Sequence, residues 1–366
     1  MSSLIVEVCV IEEITPHPNA DRLERIRVKN WWCISSIGQY KVGDKVVYVP
    51  PDAILPEELG ERWGISKYCS PLPKEMNGDR PSGLRVRAAR FRGEPSFGTI
   101  QQLDDPNWEV GRNVIDHYGI KKFEPPVKIY DGDMAPDVPS FHMYTEIENI
   151  GNFPNIFQVE EEVVVDEKIH GTNCRIGIVP HPREDTGEIV ATFMAGSHEV
   201  RRKHYDDKGN PSLYWLPFKD NLQRLLEELY GLNGRQPVIV FGEIFGAGVQ
   251  DMHYGQKGKS FRAFDISIGG KYMDYDDKIA ILEKYGIETV PFLYRGAFSM
   301  EMMSMIVDGP TKVCDASDIK EVFKGREGIV IRPVKERFDP EVGRVILKYI
   351  SVDYHGRKNS DKTEGH

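Results

Sequence analysis

Closely spaced strand-like runs, separated by proline or glycine, constrain the first 125 residues more than any other feature of this sequence. The runs SLIVEVCVI, RLERIRV, KVVYVP and LRVRAARF are short and largely apolar, as β-strands are. Proline and glycine between them prevent any longer element. The pattern predicts a small β barrel over residues 1–125, with a long irregular loop inserted at residues 50–82.

A different pattern follows a segment at residues 126–140 that is rich in proline and aspartate and that we interpret as a linker. Apolar strand runs recur at EEVVVDEKI, EIVATFM, PVIVFGEI, FRAFDIS, EGIVIRP and RVILKYI. The strands do not alternate regularly with helices, which argues against a Rossmann-type parallel sheet. Residues 141–366 are therefore predicted to form an α+β domain with a mixed sheet. Two amphipathic helices are expected, with apolar faces at Phe218, Leu222, Leu225, Leu226 and Leu229 and at Ile279, Leu282 and Tyr285.

The charge of the chain is unevenly distributed, although its net value is −10. Residues 1–125 hold 17 of the 47 Lys and Arg and 18 of the 57 Asp and Glu, so the acidity lies in the remainder. Within this nearly neutral part, GLRVRAARFRG concentrates basic side chains, and such a stripe can hold a phosphate backbone. The predicted nucleic-acid contacts are Arg85, Arg87, Arg90 and Arg92.

Several classes of protein are disfavoured by composition. No segment approaches the run of about 20 apolar residues that a membrane helix needs, and the N-terminus turns acidic too early for a signal peptide. The five cysteines are widely spaced without a CxxC pair, which favours idle thiols over zinc or disulfides. We expect an intracellular, cytoplasmic protein.

The second half contains polar or aromatic residues at the ends of five predicted strands, which is how a sheet builds a nucleotide pocket. A lysine in DEKIHGTN follows an apolar run, and the next glycine allows the backbone to turn near a ligand. Singly, these signals are weak: KxxG arises by chance, and an aromatic in FRAFDI suits a core position equally well. Together the candidates are Lys168, Glu243, Phe264, Glu327 and Lys348.

In chain order, KIHG, FGE, FRAFDI, EGIV and LK resemble motifs I, III, IIIa, IV and V of the covalent nucleotidyltransferases, which include nucleic-acid ligases and mRNA capping enzymes. The set is similar in particular to the nick-sealing RNA ligases of the phage RNA ligase 2 type. The upstream segment YTEIENIGN also resembles the opening segment of that family. The likeness runs from about Tyr144 to Ile350.

The N-terminal half carries its own resemblance. ITPHPNADRLERIRV is similar to the opening strands of OB-type tRNA-binding modules, although HPNAD is also good turn chemistry in any barrel. An OB domain before the transferase resembles the bacterial-type, OB-first RNA ligases. The predicted order is therefore an OB domain over 1–125, a linker over 126–140 and a nucleotidyltransferase domain over 141–366.

The resemblance implies an ATP-dependent RNA ligase that joins RNA 3′-hydroxyl and 5′-phosphate ends through a lysyl-AMP on Lys168 and an adenylated RNA end. Glu327 and Glu243 would hold Mg²⁺ or Mn²⁺, and Lys348 would contact the α-phosphate. Because lysine is protonated at neutral pH, we expect the metal, Lys348 and partial burial to activate Lys168. The implied contacts to ATP or AMP are Glu167, Ile169, His170, Gly171, Asn173, Arg201 and Phe264.

Two departures from the family pattern leave alternatives open. Motif V usually carries two lysines, but Ile346 occupies the first position, so Arg344 or an OB-domain arginine is a candidate replacement. The motif Ia segment GSHEVRRK offers His198, Arg201 or Arg202. The rival functions are a DNA ligase, a capping-type guanylyltransferase, or a non-catalytic OB-type RNA-binding protein.

Overall fold

The computed structural model describes residues 3–72, 82–123, 132–183, 186–315, 318–319 and 323–355. The chain divides into two compact units. The first consists mainly of Met1–Pro125 with Glu148–Asn155, and the second mainly of Pro126–Ile147 and Ile156–Tyr354.

Short strands make up most of the first unit. They are β1 (Glu7–Pro16), β2 (Leu23–Val28), β3 (Trp31–Ser36), β4 (Lys45–Val49), β5 (Ala53–Leu55), β6 (Ser70–Leu72), β7 (Gly83–Arg85), β8 (Ala88–Phe91), β9 (Glu94–Phe97), β10 (Thr99–Gln101), β11 (Lys121–Lys122) and β12 (Glu148–Asn149). One antiparallel sheet has the order β10-β4-β1-β2-β3, and a second has the order β11-β5-β7-β6. Strands β8 and β9 form a separate hairpin.

The long loop expected at residues 50–82 is partly wrong. Strand β5, helix α1 (Glu57–Arg62) and strand β6 lie within this range, and residues 73–81 lie outside the described residues. The ordered part forms because its apolar side chains enter the barrel core: Leu55 is fully buried and Leu59 nearly so. Both pack in a cluster with Val8, Val47 and Trp108.

The second unit combines two larger sheets with short helices. Its strands are β13 (Glu162–Lys168), β14 (Thr172–Pro182), β15 (Ile189–Gly196), β16 (Arg201–Arg202), β17 (Val238–Gly246), β18 (Lys259–Ile268), β19 (Lys271–Tyr272), β20 (Phe292–Ala297), β21 (Gly328–Pro333), β22 (Phe338–Asp339), β23 (Gly343–Arg344) and β24 (Leu347–Ile350). One sheet contains β24-β21-β13-β20, and the other has the order β16-β15-β14-β17-β18-β19. Neighbouring strands in these sheets pair antiparallel, and an isolated parallel bridge joins Ala263 to Thr289.

The helices cover the sheets through apolar faces. They are α2 (Asp220–Leu232), α3 (Tyr275–Lys284), α4 (Met300–Val307) and α5 (Val352–His355). The four predicted leucines of α2 are buried against β14 and β17, whereas Phe218 precedes the helix and packs on the same cluster. In the part of the chain that the structure describes, every helix is too short or too polar to span a lipid bilayer.

Candidate active site

A largely buried ion pair joins Lys168 to Glu327. Lys168 is the last residue of β13 and lies opposite Gly328, the first residue of β21. Glu327 immediately precedes that glycine, so the strand register brings the two side chains together. The Lys168 Nζ donates to Glu327 Oε1 at 2.7 Å, and the two side chains are 27% and 10% exposed.

The electrostatics of this pair differ from the sequence expectation. Burial lowers the pKa of Lys168, but Glu327 and Glu243 raise it more, so the pKa lies above its ordinary value. Burial raises the pKa of Glu327, whereas Lys168 and His170 lower it to about 2. The chain itself therefore holds an ammonium beside a carboxylate. The expected lowering of the lysine pKa requires a cationic group that competes for these carboxylates.

Glu243 reaches the same region from the other sheet of the second unit. It lies on β17 directly opposite Asn173 on β14. Burial raises the pKa of Glu243 to about 8, although Lys168 opposes this shift. Two nearby acceptor atoms, Asn173 Oδ1 and Glu327 Oε2, are buried without a hydrogen-bond partner among the described residues. Because buried acceptors are usually satisfied, these oxygens mark where a cation or a donor group of a ligand fits.

The oxygen donors suit a hard divalent cation. Carboxylate and amide oxygens are preferred by Mg²⁺ and Mn²⁺. Within the described ranges, no group of three or more His, Cys, Asp or Glu side chains is arranged to hold a metal. Glu327 and Glu243 thus fit a cation that keeps water ligands and shares phosphate oxygens with a substrate, as Mg²⁺ commonly does, rather than a closed protein cage.

The turn between β13 and β14 brings the backbone close to β17. A Cβ atom at Gly171 would collide with the carbonyl oxygen of Ile244, so glycine is required by close approach. The side chain of Ile169 is buried in a cluster with Phe245. Ile169 can therefore contribute to a ligand site through its backbone but not its side chain.

The His170 ring is held by residues that the sequence did not single out. Its Nε2 lies 2.9 Å from Asp251 Oδ1, and its Nδ1 lies 3.0 Å from the Tyr354 hydroxyl. The backbone N–H of His170 donates to the Tyr254 hydroxyl at 2.7 Å. These partners lie 81, 184 and 84 residues away, and no local pattern in the sequence marks them.

Glu167 is a buried acceptor at the edge of the same region. The residue is 1% exposed, and its carboxylate accepts hydrogen bonds from the Thr311 hydroxyl and from the Lys312 backbone N–H. Burial raises its pKa, against the lowering effect of these bonds. The loop at residues 308–313 is a second feature that sequence reasoning missed.

Phe264 is half-buried, with its ring 4.8 Å from that of Tyr144 in an edge-to-face arrangement. The Lys278 ammonium donates to the Phe264 carbonyl oxygen at 2.7 Å. Next to it, Asp265 is fully buried. A carboxylate inside an apolar strand run was the available signal for this residue, and the sequence analysis did not use it.

The candidate residues around motif V lie in different surroundings in the structure. Lys348 lies on β24, half-buried and opposite Val330 of β21. Ile346 is 1% exposed and belongs to an apolar cluster. Arg344 is 3% exposed and donates to Asp265 at 2.8 Å and to the partly exposed carboxylate of Glu336 at 2.6 Å. Arg344 therefore serves as the buried counter-ion of these carboxylates.

The motif Ia candidates also differ in their surroundings. Arg202 is buried and pairs with Asp133 at 2.6 Å, which gives it a structural role. Arg201 is half-buried and donates to the Pro136 carbonyl oxygen at 3.0 Å, and burial lowers its pKa. His198 lies 3.1 Å from a carboxylate oxygen of Glu146.

The arginine stripe of the first unit does not form one surface, and the expectation for Arg85 is corrected. Arg85 is buried, donates to Asp52 and lies 3.8 Å over the ring of Phe123. Arg87 is half-buried and donates to a serine hydroxyl. Burial follows because Arg85 is in β7, inside a sheet, whereas the exposed Arg90 and Arg92 belong to the β8–β9 hairpin.

The HPNAD turn supports that hairpin. His17 is 6% exposed, with its Nε2 2.9 Å from the Phe91 carbonyl oxygen. The Asn19 backbone N–H donates to His17 Nδ1, and its side-chain amide donates to the Arg92 carbonyl oxygen at 3.1 Å. These hydrogen bonds within the turn and to the hairpin therefore explain why histidine and asparagine occupy positions 17 and 19.

Comparison with known families agrees with this geometry. A family model described as RNA ligase matches residues 161–350, and an OB-fold domain model matches residues 5–103. Comparison with curated proteins found no match.

Solved structures of the Naegleria gruberi RNA ligase are similar over nearly the whole chain. A variant in the apo form is 23% identical, with a TM-score of 0.72 over 97% of this chain and 98% of that one. A variant with AMP and Mn is 24% identical, with a TM-score of 0.72 over 96% and 98%. The form with pyrophosphate is 24% identical, with a TM-score of 0.70 over 96% and 98%. The predicted fold class, an OB-type barrel followed by an α+β nucleotidyltransferase domain, is confirmed, and the chain belongs to the RNA ligase family.

Proposed function

We propose that this protein is an ATP-dependent RNA ligase that joins a 3′-hydroxyl to a 5′-phosphate through AMP carried on Lys168. The observation that carries the proposal is the buried Lys168–Glu327 pair, 2.7 Å apart, beside two unsatisfied acceptor oxygens. Membership of the RNA ligase family supports it. So do the Naegleria gruberi structures whose ligands are ATP with Mn and AMP with Mn.

In the first step the Lys168 amine attacks the α-phosphorus of ATP. The N–P bond forms while the bond to pyrophosphate breaks, and the ammonium must first lose its proton. Glu327 and Glu243 oppose that loss in the protein alone. A divalent cation bound by these two carboxylates would supply charge neutralisation at the phosphate oxygens. With Glu327 turned away from the lysine, burial of Lys168 then favours its neutral amine.

The two later steps use the same pocket. An RNA 5′-phosphate oxygen takes AMP from Lys168, and an RNA 3′-hydroxyl then displaces AMP to form the phosphodiester. Lys348 would stabilise the α-phosphate in each step by its positive charge. Motif V offers no second lysine to share this role, because Ile346 occupies that position.

The nucleotide would be recognised by residues around the motif I turn. Glu167 would accept from the adenine, and Phe264 would pack against its ring. Asn173 has an unsatisfied oxygen for a ribose or water donor, and Arg201 would contact phosphate. The backbone of Ile169, His170 and Gly171 would lie close to the nucleotide and complete the pocket.

RNA would be held by a separate OB domain, as predicted for residues 1–125, joined by residues 126–140 to the transferase. The exposed Arg90 and Arg92 are the principal candidates for phosphate contacts, with Arg87 beside them. Binding of a nicked duplex through its phosphates requires no contacts to the base edges. This agrees with the recognition of double-stranded RNA by its A-form shape.

The deciding experiment is transfer of label from α-labelled ATP to the protein in Mg²⁺ or Mn²⁺, with GTP and labelled NAD⁺ in parallel. We expect an acid-labile adenylate with ATP, absent in Lys168→Ala, followed by sealing of a nicked RNA duplex. Transfer from GTP alone would indicate a capping-type enzyme, and sealing of DNA alone a DNA ligase. If no label is transferred from any of these nucleotides, the result would favour the alternative of a non-catalytic RNA-binding protein.

A further inference from the structure

Three aromatic rings form a stack on the surface of the second unit. The His204 ring lies nearly parallel to those of Tyr205 and Trp215, with its centroid 4.5 Å from each and interplanar angles of 19° and 16°. Because an imidazole has only two faces, the two larger rings cover one face each. Tyr205 is the outer ring of the stack and is 54% exposed. One face of its ring lies against His204, so the other face is available to a ligand.

The inner end of the stack is fixed to the body of the second unit. The Trp215 Nε1 donates to the Arg202 carbonyl oxygen at 3.1 Å, and the indole meets the Phe218 ring edge-to-face at 5.4 Å. Both aromatic side chains pack against the buried leucines of α2. At the outer end, an antiparallel bridge joins the Tyr205 backbone to Pro211. Rings that are held in place before a ligand arrives need little ordering, which lowers the cost of binding.

The charge around the stack favours an anionic partner. Residues 201–215 contain four Lys or Arg against two Asp, whereas residues 126–366 as a whole contain 30 Lys and Arg against 39 Asp and Glu. Lys203 and Lys208 flank Tyr205 in the chain, and both are exposed. Lys203 pairs with Asp207 at 3.1 Å, but this pair is also exposed, and such pairs contribute little. An aromatic face beside cationic side chains is typical of sites for single-stranded nucleic acid, where bases stack and cations contact phosphates.

We propose that Tyr205 is a stacking site for an unpaired base that flanks the break in the RNA substrate, with Lys203 and Lys208 contacting neighbouring phosphates. The inference rests on the proposed function for the identity of its ligand. The short 3-10 helix that carries Trp215 also contacts the motif I turn, since the Tyr214 hydroxyl lies 3.2 Å from Thr172 Oγ1. The stacking site therefore belongs to the part of the second unit that adjoins the proposed nucleotide pocket.

Loss of the Tyr205 ring should matter only where the RNA carries a base. Tyr205→Ala should weaken binding of single-stranded RNA by about 10-fold, the scale of losing one base–aromatic stack. Tyr205→Phe keeps the ring and should bind as the wild type does. Lys208→Ala keeps the stack but removes a charge. This variant should weaken binding with or without bases and reduce the slope of log affinity against log salt by about 0.7.

The test is fluorescence anisotropy of the full-length protein with a fluorescein-labelled single-stranded RNA that lacks a 5′-phosphate, without ATP or metal. A second probe of the same length has abasic sites in place of its nucleosides. Phe338→Ala removes an aromatic ring of β22 that is 76% exposed, and as the matched control it should bind both probes as the wild type does. Urea unfolding shows whether each variant is folded. Tyr205→Leu keeps an apolar side chain against His204 and serves if Tyr205→Ala does not fold.

Weaker binding of the base-bearing probe by Tyr205→Ala, with no loss on the abasic probe and recovery in Tyr205→Phe, would support the inference. Equal affinities of wild type and Tyr205→Ala for the base-bearing probe would overturn it, and so would equal losses on the two probes. A wild type that does not bind the base-bearing probe would also overturn it.

Label transfer from ATP by the wild type, run alongside, tests the proposed function separately. A wild type that fails to adenylate, although its RNA binding depends on Tyr205 as expected, would refute the ligase function and leave the stacking site in place. Normal label transfer with RNA binding that is independent of Tyr205 would refute the stacking site alone.

Discussion

The most severe single substitution in the second unit is predicted at Asp265, the fully buried acid that follows Phe264. Its Oδ2 accepts from Arg332 at 2.9 Å, from Arg344 at 2.8 Å and from the Tyr144 hydroxyl at 2.7 Å. Asp265→Asn keeps the shape but removes the negative charge. Two almost fully buried guanidinium groups are then left without their shared counter-ion.

The magnitude follows from that geometry. Breaking a buried ion pair by removing one partner costs about 3–5 kcal/mol, because the remaining charge stays desolvated. With a urea dependence of about 3 kcal/mol per molar, the unfolding midpoint should fall by about 1 to 2 M. Asp276→Asn is the matched control: Asp276 also pairs with an arginine, Arg295, but on the surface, where such pairs contribute little.

The effect should depend on pH with a defined sign. Burial raises the pKa of Asp265, but Arg344, Lys278 and Arg332 lower it more, and the net pKa lies well below its usual range. The stabilisation is therefore fully present above the unfolded-state value of about 3.9 and is lost as the pH falls below it. The difference between wild type and Asp265→Asn should be constant at pH 5–7 and shrink below about pH 4.

Urea unfolding monitored by circular dichroism across this pH range checks the prediction. The Asp276→Asn protein is measured in parallel under the same conditions. A midpoint shift for Asp265→Asn no larger than that of the control would refute the view that this buried network stabilises the unit. A difference that stays constant down to pH 3 would refute the assignment of its pH dependence to Asp265.

Three further predictions concern function. Glu327→Ala should slow adenylation by at least about 100-fold, the scale of losing one charge-stabilising contact, and wild-type rates of label transfer would contradict its role. Lys348→Ala should fail both in adenylation and in sealing a pre-adenylated RNA nick, and normal sealing would confine Lys348 to the first step. Replacing Arg90 and Arg92 by alanine should weaken binding of a nicked RNA duplex and reduce the slope of log affinity against log salt by about 2. An unchanged slope in a filter-binding series would exclude both as phosphate contacts.

Much of the fold was readable from local pattern. Apolar runs of strand length predicted β1, β2, β4, β13, β17 and β21 because side chains alternate or are buried along a strand. The leucine spacing of α2 was equally direct. The segment at 50–72 was misjudged, since its short strands and helix form by packing Leu55 and Leu59 into the barrel, and a three-residue strand has no periodicity of its own.

The sequence by itself singled out the residues that are expected to carry the chemistry, because motifs such as KIHG and EGIV are local and their order along the chain is informative. The sequence also shows that Gly171 follows shortly after Lys168. The structure explains this glycine, because the backbone of β17 approaches it too closely for any side chain.

Only the tertiary structure decided how those residues are tuned. Composition could not reveal that carboxylates raise the pKa of Lys168, that Arg85 and Arg344 are buried structural cations, or that Asp251 and Tyr354 meet at His170. Each of these facts depends on contacts between residues tens to hundreds of positions apart. Desolvation and Coulomb interactions are set by distance in space, and a sequence records only distance along the chain.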